Sequence, residues 1–324
     1  MSLRIGILGA GKVALDHAEA ILKLGHQVAA GCTSRPDSPN WTNFKRAIPN
    51  AEFLNGDTLL AHPQIDAVVA CVSWSAIADW LPRLLASPKP VLIEKPIGLE
   101  SGAVEQAQIT AQVTLGNKLG GYNRRYYQST AKLKQRLEQG GLVSARLAIS
   151  ENLEGLVRKA GREALKYVFA YSSSSHIFDL ALHLLGPLTI ERVFSRPEPG
   201  YEPFCNINAL LTTNDNHPVM LSVHCADPIV VGITCRFDDH TIWQLGPVER
   251  LNIYQGYHVV EPSAESKVRR YTPKVIETVE TSTELRPGFL EQMEAFLSGK
   301  FGPGHRPYDT VILQKLIEAL TQTR

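Results

Sequence analysis

The stretch Arg4-Ile5-Gly6-Ile7-Leu8-Gly9-Ala10-Gly11-Lys12-Val13-Ala14 constrains this chain more than any other, because a short apolar run ends there in closely spaced glycines and leads straight into a helical pattern. Strand, turn and helix in that order leave few folds open. Gly9, Gly11 and Ala14 stand at G-x-G-x-x-A spacing. The first permits a tight turn, the second lets backbone approach a pyrophosphate, and the small third lets helix pack closely on strand. Free amides at the helix start, around Gly11, Lys12 and Val13, then face the anion. Ala14, Ala18, Ile21 and Leu22 form one apolar stripe, Lys12, Asp16, Glu19 and Lys23 lie mostly off it, and Gly25 stops the helix. A bare glycine turn is the competing explanation, and this context favours dinucleotide binding.

The next strand, Gln27 to Cys32, ends where the choice between NAD and NADP is made. NAD-binding chains place an acid there for the ribose 2′-hydroxyl, whereas NADP-binding chains supply Arg or hydroxyls for the 2′-phosphate. This chain offers Thr33, Ser34 and Arg35 with no carboxylate before Asp37, which favours NADP(H) over NAD(H). A plain polar turn at Ser34-Arg35-Pro36 is the alternative. A short strand at Glu52-Phe53-Leu54 and a small helix that Asp57 can cap come next. The continuous apolar runs Asp66 to Val72 and Val91 to Ile93 suit parallel strands covered on both faces. Between them a helix is expected from Ser75 to Ala86, with Ile77, Trp80, Leu81, Leu84 and Leu85 inward and Pro82 kinking it or marking a late start. Alternating strands and helices give a doubly wound parallel sheet, whose ligands sit beyond the strands' carboxyl ends. Lys95 stands at such an end.

With 324 residues the chain is long enough for two domains, since domains cluster around ~100 to 200 residues. Lys and Arg number 33 against 32 Asp and Glu. That balance gives no electrostatic reason to expect nucleic acid or an anionic membrane, so the ligand is expected to be small. Five cysteines without C-x-x-C spacing suggest reduced, mostly buried thiols rather than disulfides or zinc. No apolar run approaches the ~18 residues of a membrane span. The N-terminal run is cut by Gly6, Gly9, Gly11 and Lys12, unlike a signal peptide, so a cytoplasmic location is expected.

From Leu142 the pattern becomes alternating: Val143, Ala145, Leu147 and Ile149 against Leu142, Ser144, Arg146 and Ala148, and again at 207–212, 219–226 and 231–237. These are expected to be strands of an antiparallel sheet. A boundary near Gly120-Gly121 divides a Rossmann domain (1–120) from an α+β substrate and oligomerisation domain (121–324). If both faces of the sheet are apolar, one needs a second subunit, which makes a homodimer or homotetramer the expected assembly.

With these pieces placed, the chain resembles the Gfo/Idh/MocA family of NAD(P)-dependent sugar and inositol oxidoreductases. The resemblance rests on the glycine turn, Asp66-Ala67-Val68-Val69, Glu94-Lys95-Pro96 and Gly121-Tyr122-Asn123-Arg124-Arg125-Tyr126. It continues with His176-Ile177-Phe178-Asp179 before Leu184-Leu185-Gly186, and with the late helix Phe289 to Phe296. It implies an N-terminal Rossmann domain, a C-terminal α+β domain on a large open antiparallel sheet, and a cis Lys95-Pro96 bond. It also implies catalytic roles for Lys95 and His176. Two positions depart from the family pattern: Ser172 stands where an Asp is common, four residues before the histidine, and Ser73-Trp74 replaces the usual Pro-Asn that walls the nicotinamide.

Hydride transfer to or from an alcohol needs a group within hydrogen-bond reach of the oxygen to take or give its proton. Lys95 and His176 are the candidates, with Lys95 carrying more of the role because position 172 lacks Asp. Glu94, Ser73 and Trp74 are expected beside the cofactor, and Asn123, Arg125, Tyr167, Ser172 and Asp179 near the substrate, with bracing of the domain junction as the alternative for Asn123 and Arg125. His176, Asp179 and His183 share a helix, and with no further ligand set no metal is expected. Arg158, Lys159, Arg162 and Lys166 form either a solvated basic face or a rim for an anionic substrate. The expected function is hydride transfer between NADP(H) and a sugar, cyclitol or related polyol. The alternatives are reduction of a non-sugar carbonyl or imine, and a cofactor-binding regulator without turnover.

Overall fold

The computed structural model describes residues 2–322, residues 112 and 113 by backbone alone. Among them the first sheet has six parallel strands: β1 (Arg4–Leu8), β2 (Gln27–Cys32), β3 (Glu52–Phe53), β4 (Ala67–Ala70), β5 (Val91–Ile93) and β6 (Lys118–Gly120). Their order is β3-β2-β1-β4-β5-β6, the doubly wound arrangement, with its reversal point between β1 and β4. The helices of this half are α1 (Lys12–Lys23), α2 (Pro39–Ala47), α3 (Gly56–Ala61), α4 (Ile77–Ala86) and α5 (Ser101–Thr110). α4 begins two residues later than the sequence suggests and holds Pro82 inside it, and Trp80 is only half-buried. Asn55, not Asp57, caps α3, its side chain accepting from the Thr58 amide at 2.8 Å. The Lys95-Pro96 bond is cis.

The inward stripe of α1 differs from the expected one. Leu22 is 49% exposed, whereas His17 is fully buried with Ala14, Ala18 and Ile21. Positions 14, 17, 18 and 21 are the true i, i+3, i+4, i+7 face. A polar side chain on that face requires a partner, and His17 has one in Glu94.

Lys118 is also fully buried, at the start of β6, where its Nζ donates to the carbonyls of Ser87 (2.7 Å), Lys89 (3.0 Å) and Thr114 (3.0 Å). Burial lowers its pKa to about 8 from an ordinary 10.5. The unfolded chain therefore holds more protons than the folded one between these values, and stability rises with pH in that window. Urea unfolding of wild type and Lys118→Met should show their stability difference shift in favour of wild type by about 2 kcal/mol between roughly pH 7 and pH 9.5. A flat difference would mean that the carbonyls hold the ammonium charged throughout.

The second sheet contains β7 (Leu142–Glu151), β8 (Leu188–Pro197), β9 (Cys205–Thr213), β10 (Pro218–Cys225), β11 (Gly232–Phe237), β12 (Thr241–Leu245), β13 (Arg250–Val260) and β14 (Arg270–Glu280). Their order is β14-β13-β12-β11-β7-β10-β9-β8. The sheet is mostly antiparallel, with one exception to the expectation: β7 and β10 run parallel. The chain leaves β7 through α7 (Leu153–Ala160), α8 (Val168–Tyr171) and α9 (Ser173–Leu185) before β8 begins, so β7 sits between β10 and β11 rather than at an edge. α9 packs on β7 and β11 and α6 (Gln128–Glu138) on β12, β13 and β14, and Ala145, Leu147, Val219 and Leu221 form one buried phase of β7 and β10. In alternate phase along β8, β9 and β10, Phe194, Leu210 and Met220 are exposed.

The chain forms two compact units that no single cut near 120 separates. One holds the chain up to Tyr126, Phe169–Tyr171 and Thr283–Ala319; the other holds Tyr127–Val168, Ser172–Ser282 and the residues from Leu320. Apolar packing is the reason: α10 (Phe289–Ser298) inserts Phe289, Met293 and Phe296 into the core that α1 and the parallel sheet build. The last helix, α11 (Pro307–Gln322), follows it. Of the five cysteines, only Cys32 and Cys235 are fully buried and the other three are half-buried, so the expectation of mostly buried thiols is corrected. Among the described residues no helix is long and apolar enough to cross a membrane, and no three His, Cys, Asp or Glu residues converge to hold a metal ion.

Candidate functional site

In the first unit, the predicted cofactor residues lie at the carboxyl ends of four neighbouring strands. Gly9 to Val13 follow β1, Thr33 to Arg35 follow β2, Ser73-Trp74 follow β4, and Glu94-Lys95 follow β5. Gly9 has φ +106, and a Cβ there would lie 2.3 Å from the Cys71 carbonyl oxygen. Only glycine fits that approach. Gly11 has an ordinary φ of −77, and a Cβ on it would meet no protein atom. The space beside it is open.

The start of α1 has neither a side-chain cap nor an acidic residue in its first turn. Ser38, Asn55 and Asn152 cap α2, α3 and α7 through their side chains, whereas α4, α5 and α6 lack an N-cap side-chain bond as α1 does, and what sets α1 apart is the glycine turn that leads into it. Uncapped amides with positive dipole charge suit a phosphate, so the residues present fit a dinucleotide's pyrophosphate.

Arg35 and Asp37 are both largely exposed and approach at 3.6 Å, a loose surface pair that leaves the guanidinium available. Thr33 Oγ1 donates to the Arg35 carbonyl at 2.6 Å, which shapes the turn around it, and Ser34 is exposed beside it. Ser73 is exposed, its hydroxyl 3.1 Å from that of Ser75. Trp74 packs against Tyr171, ring centroids 5.9 Å apart.

Lys95 is half-buried, and its Nζ donates to the Tyr171 carbonyl at 2.7 Å and lies 5.7 Å from that ring's centroid. Burial raises the Tyr171 phenol's pKa, which keeps that neighbour neutral. Cys71, which meets Gly9, has its thiol pushed well above its ordinary value by burial, then by the charges of Glu94 and Asp16, so it is no nucleophile.

Asn123 and Arg125 are buried and hold the C-terminal segment of the same unit. Asn123 Nδ2 donates to the Pro287 carbonyl at 2.8 Å, and Arg125 reaches Asp309 at 3.0 Å and His305 at 3.2 Å. Bracing accounts for both.

In the second unit, His176 and Asp179 lie one turn apart on α9, both buried. Tyr167 ends the turn before α8 and accepts from Lys166 at 2.9 Å. Arg158, Lys159, Arg162 and Lys166 are all exposed, as a solvated face would be. Ser172, where the family pattern has Asp, donates its hydroxyl to Glu151.

Sequence reasoning passed over Glu151, a carboxylate 1% exposed at the end of β7. It accepts from the Ser174 amide at 2.7 Å as well as from the Ser172 and Ser174 hydroxyls. It thereby caps the helix that carries His176. The signal was present, since Glu151 shares the inward phase of Ala145, Leu147 and Ile149, and the serine tract supplies the donors a buried carboxylate needs.

A parallel sheet in this order, a glycine turn at its reversal point and an uncapped helix start define a dinucleotide-binding Rossmann domain. The family described as GFO/IDH/MocA, oxidoreductase family with NAD-binding Rossmann fold, matches residues 3–117, and that segment belongs to it. An inositol 2-dehydrogenase of Rhizobium meliloti is 25% identical over 193 residues, covering 57% of this chain and 56% of the relative. The chain spans about half the length of the curated relatives it matches. A 3-ketoreductase from Actinomadura kijaniata, solved with NADP and TDP-benzene, is 18% identical, with 99% of this chain and 97% of that chain covered and a TM-score of 0.73. A myo-inositol dehydrogenase from Corynebacterium glutamicum is also 18% identical, with 100% and 96% covered and a TM-score of 0.70. At such identities the likeness is one of fold.

Proposed function

We propose that this chain is an NADP(H)-preferring oxidoreductase acting on a sugar, cyclitol or related polyol or carbonyl compound, with Lys95 and His176 handling the proton. The observation that carries the reading is the uncapped start of α1 behind Gly9 and Gly11, with Lys95 following β5 at the same end of the sheet. The inositol dehydrogenases and the ketoreductase among its relatives support the substrate class. When bound, the nicotinamide exchanges hydride with the substrate carbon. Lys95 gives or takes the hydroxyl proton from its place beneath Tyr171, and Glu151 orients His176 by holding the start of α9. Arg35 meets the 2′-phosphate, with the exposed Ser34 hydroxyl beside it. A homodimer or homotetramer formed through the sheet face bearing Phe194, Leu210 and Met220 completes the reading.

Fluorescence titration with NADPH and NADH tests it. NADPH should bind at least about 10-fold more tightly, and Arg35→Ala should remove most of that margin while leaving NADH binding unchanged, because only NADPH carries a 2′-phosphate for the guanidinium to pair with. Equal or NADH-favoured binding overturns the NADP preference. Binding of neither overturns the oxidoreductase reading.

A further inference from the structure

His17 is fully buried on the inward face of α1, where an imidazole is costly to place unless it is bonded. Its Nε2 lies 2.7 Å from Glu94 Oε1, and its Nδ1 has no hydrogen-bond partner. A carboxylate oxygen accepts, so the bonded proton sits on Nε2. The ring is held against Phe289, centroids 4.6 Å apart.

Glu94 has equally little freedom. It is buried, and a Cβ on Gly121 would lie 2.8 Å from its Cα and Cδ and 2.9 Å from Oε1, so backbone closes that side. Its second oxygen, Oε2, accepts from the Lys95 amide at 3.2 Å. The contacts run in one line within the first unit, from the helix behind the glycine turn through His17 and Glu94 to the main chain of Lys95.

We propose that His17 is a positioning residue: by clamping the Glu94 carboxylate from α1 it fixes the root of the Lys95 side chain, whose tip the Tyr171 carbonyl holds. The inference rests on the reading of Lys95 as the proton-handling group. Packing alone explains why His17 is buried, but not why its one bonded nitrogen meets the carboxylate that also receives the Lys95 amide. An apolar residue would fill the same space. A lysine fixed only at its tip samples more positions, and a misplacement of about 1 Å at a reacting group can cost 100-fold in rate.

The test compares the full chain with His17→Leu, His17→Gln and Lys95→Ala. It reads amide exchange of Lys95 by NMR, turnover of myo-inositol with saturating NADP⁺, and NADPH affinity. In His17→Leu the Lys95 amide should exchange about 10-fold faster or more, and kcat should fall about 10- to 100-fold with NADPH affinity little changed. His17→Gln, whose amide can donate to Glu94, should restore both. If His17→Leu does not fold, His17→Asn, with a shorter amide that stops short of Glu94, replaces it in the same measurements.

Wild-type exchange at Lys95 in the folded variant overturns the inference, and this readout needs no substrate. A changed exchange rate with full turnover overturns it too. Full turnover in Lys95→Ala instead overturns the reading on which it rests, whatever the exchange rate shows.

Discussion

Lys95→Ala should lower turnover by about 10²- to 10⁴-fold, the range that a positioned acid or base contributes, while NADPH affinity stays within a few-fold of wild type. The separation follows from where the lysine stands. The phosphate-binding elements are the turn after β1 and the start of α1, and neither uses the Lys95 side chain. Its ammonium is held by the Tyr171 main-chain carbonyl, so no side-chain change at Tyr171 removes the bond, and Tyr171→Phe should be mild by comparison. Lys95→Arg sharpens the test. A guanidinium keeps the positive charge but cannot release a proton in the working range of a protein, so a charge-only role predicts activity near wild type and a proton-transfer role predicts loss close to that of alanine. Stopped-flow and steady-state rates, measured on whichever member of a polyol panel is oxidised, decide between them. Near-normal turnover in Lys95→Ala would end the case for this residue.

Much of the first unit was legible because buried parallel strands announce themselves as continuous apolar runs. Gln27 to Cys32 and Val91 to Ile93 are strands over those same residues. Legibility failed where a partner is distant in sequence. Leu22 reads as inward because it is apolar, whereas His17 occupies that face through a carboxylate 77 positions away. Local periodicity fixes a face only to within a residue or so, and it carries no information about such a partner. The parallel pairing of β7 with β10 was hidden for a related reason: alternation shows that a strand has two faces but not which way it runs. The return of α10 to the first core was equally invisible, since its apolar face is compatible with any core. At the candidate site, the residue types and their strand ends were readable, and the bonds that hold them were not. The sequence places Glu94 at a strand end, but its hold on the Lys95 amide and its bond to His17 come from the fold.

Gly9 and Gly11 look alike in the sequence, and their alanine variants should fail in different ways. At Gly9 the backbone has φ +106 and a Cβ would lie 2.3 Å from Cys71 O and 2.9 Å from Cys71 C. Those atoms cannot retreat easily, because the Cys71 amide bonds to the Leu8 carbonyl at 2.7 Å and the Gly9 amide bonds to the Cys32 carbonyl at 2.9 Å. β1 would have to part from β4. Gly9→Ala should therefore lose about 2–4 kcal/mol of stability in urea unfolding, and NADPH binding should fall with the distorted turn. Gly11→Ala keeps an ordinary φ and meets no protein atom, so its stability should change by less than about 1 kcal/mol, the scale of an N-cap exchange. Its NADPH affinity should nevertheless fall at least about 10-fold, because the added methyl occupies the space through which a pyrophosphate reaches the helix amides. A stable Gly9→Ala would contradict the close approach of β1 and β4, and a Gly11→Ala that binds NADPH like wild type would place the pyrophosphate elsewhere. Loss of binding without loss of stability at Gly11 is the result that separates a ligand's requirement for glycine from the backbone's own.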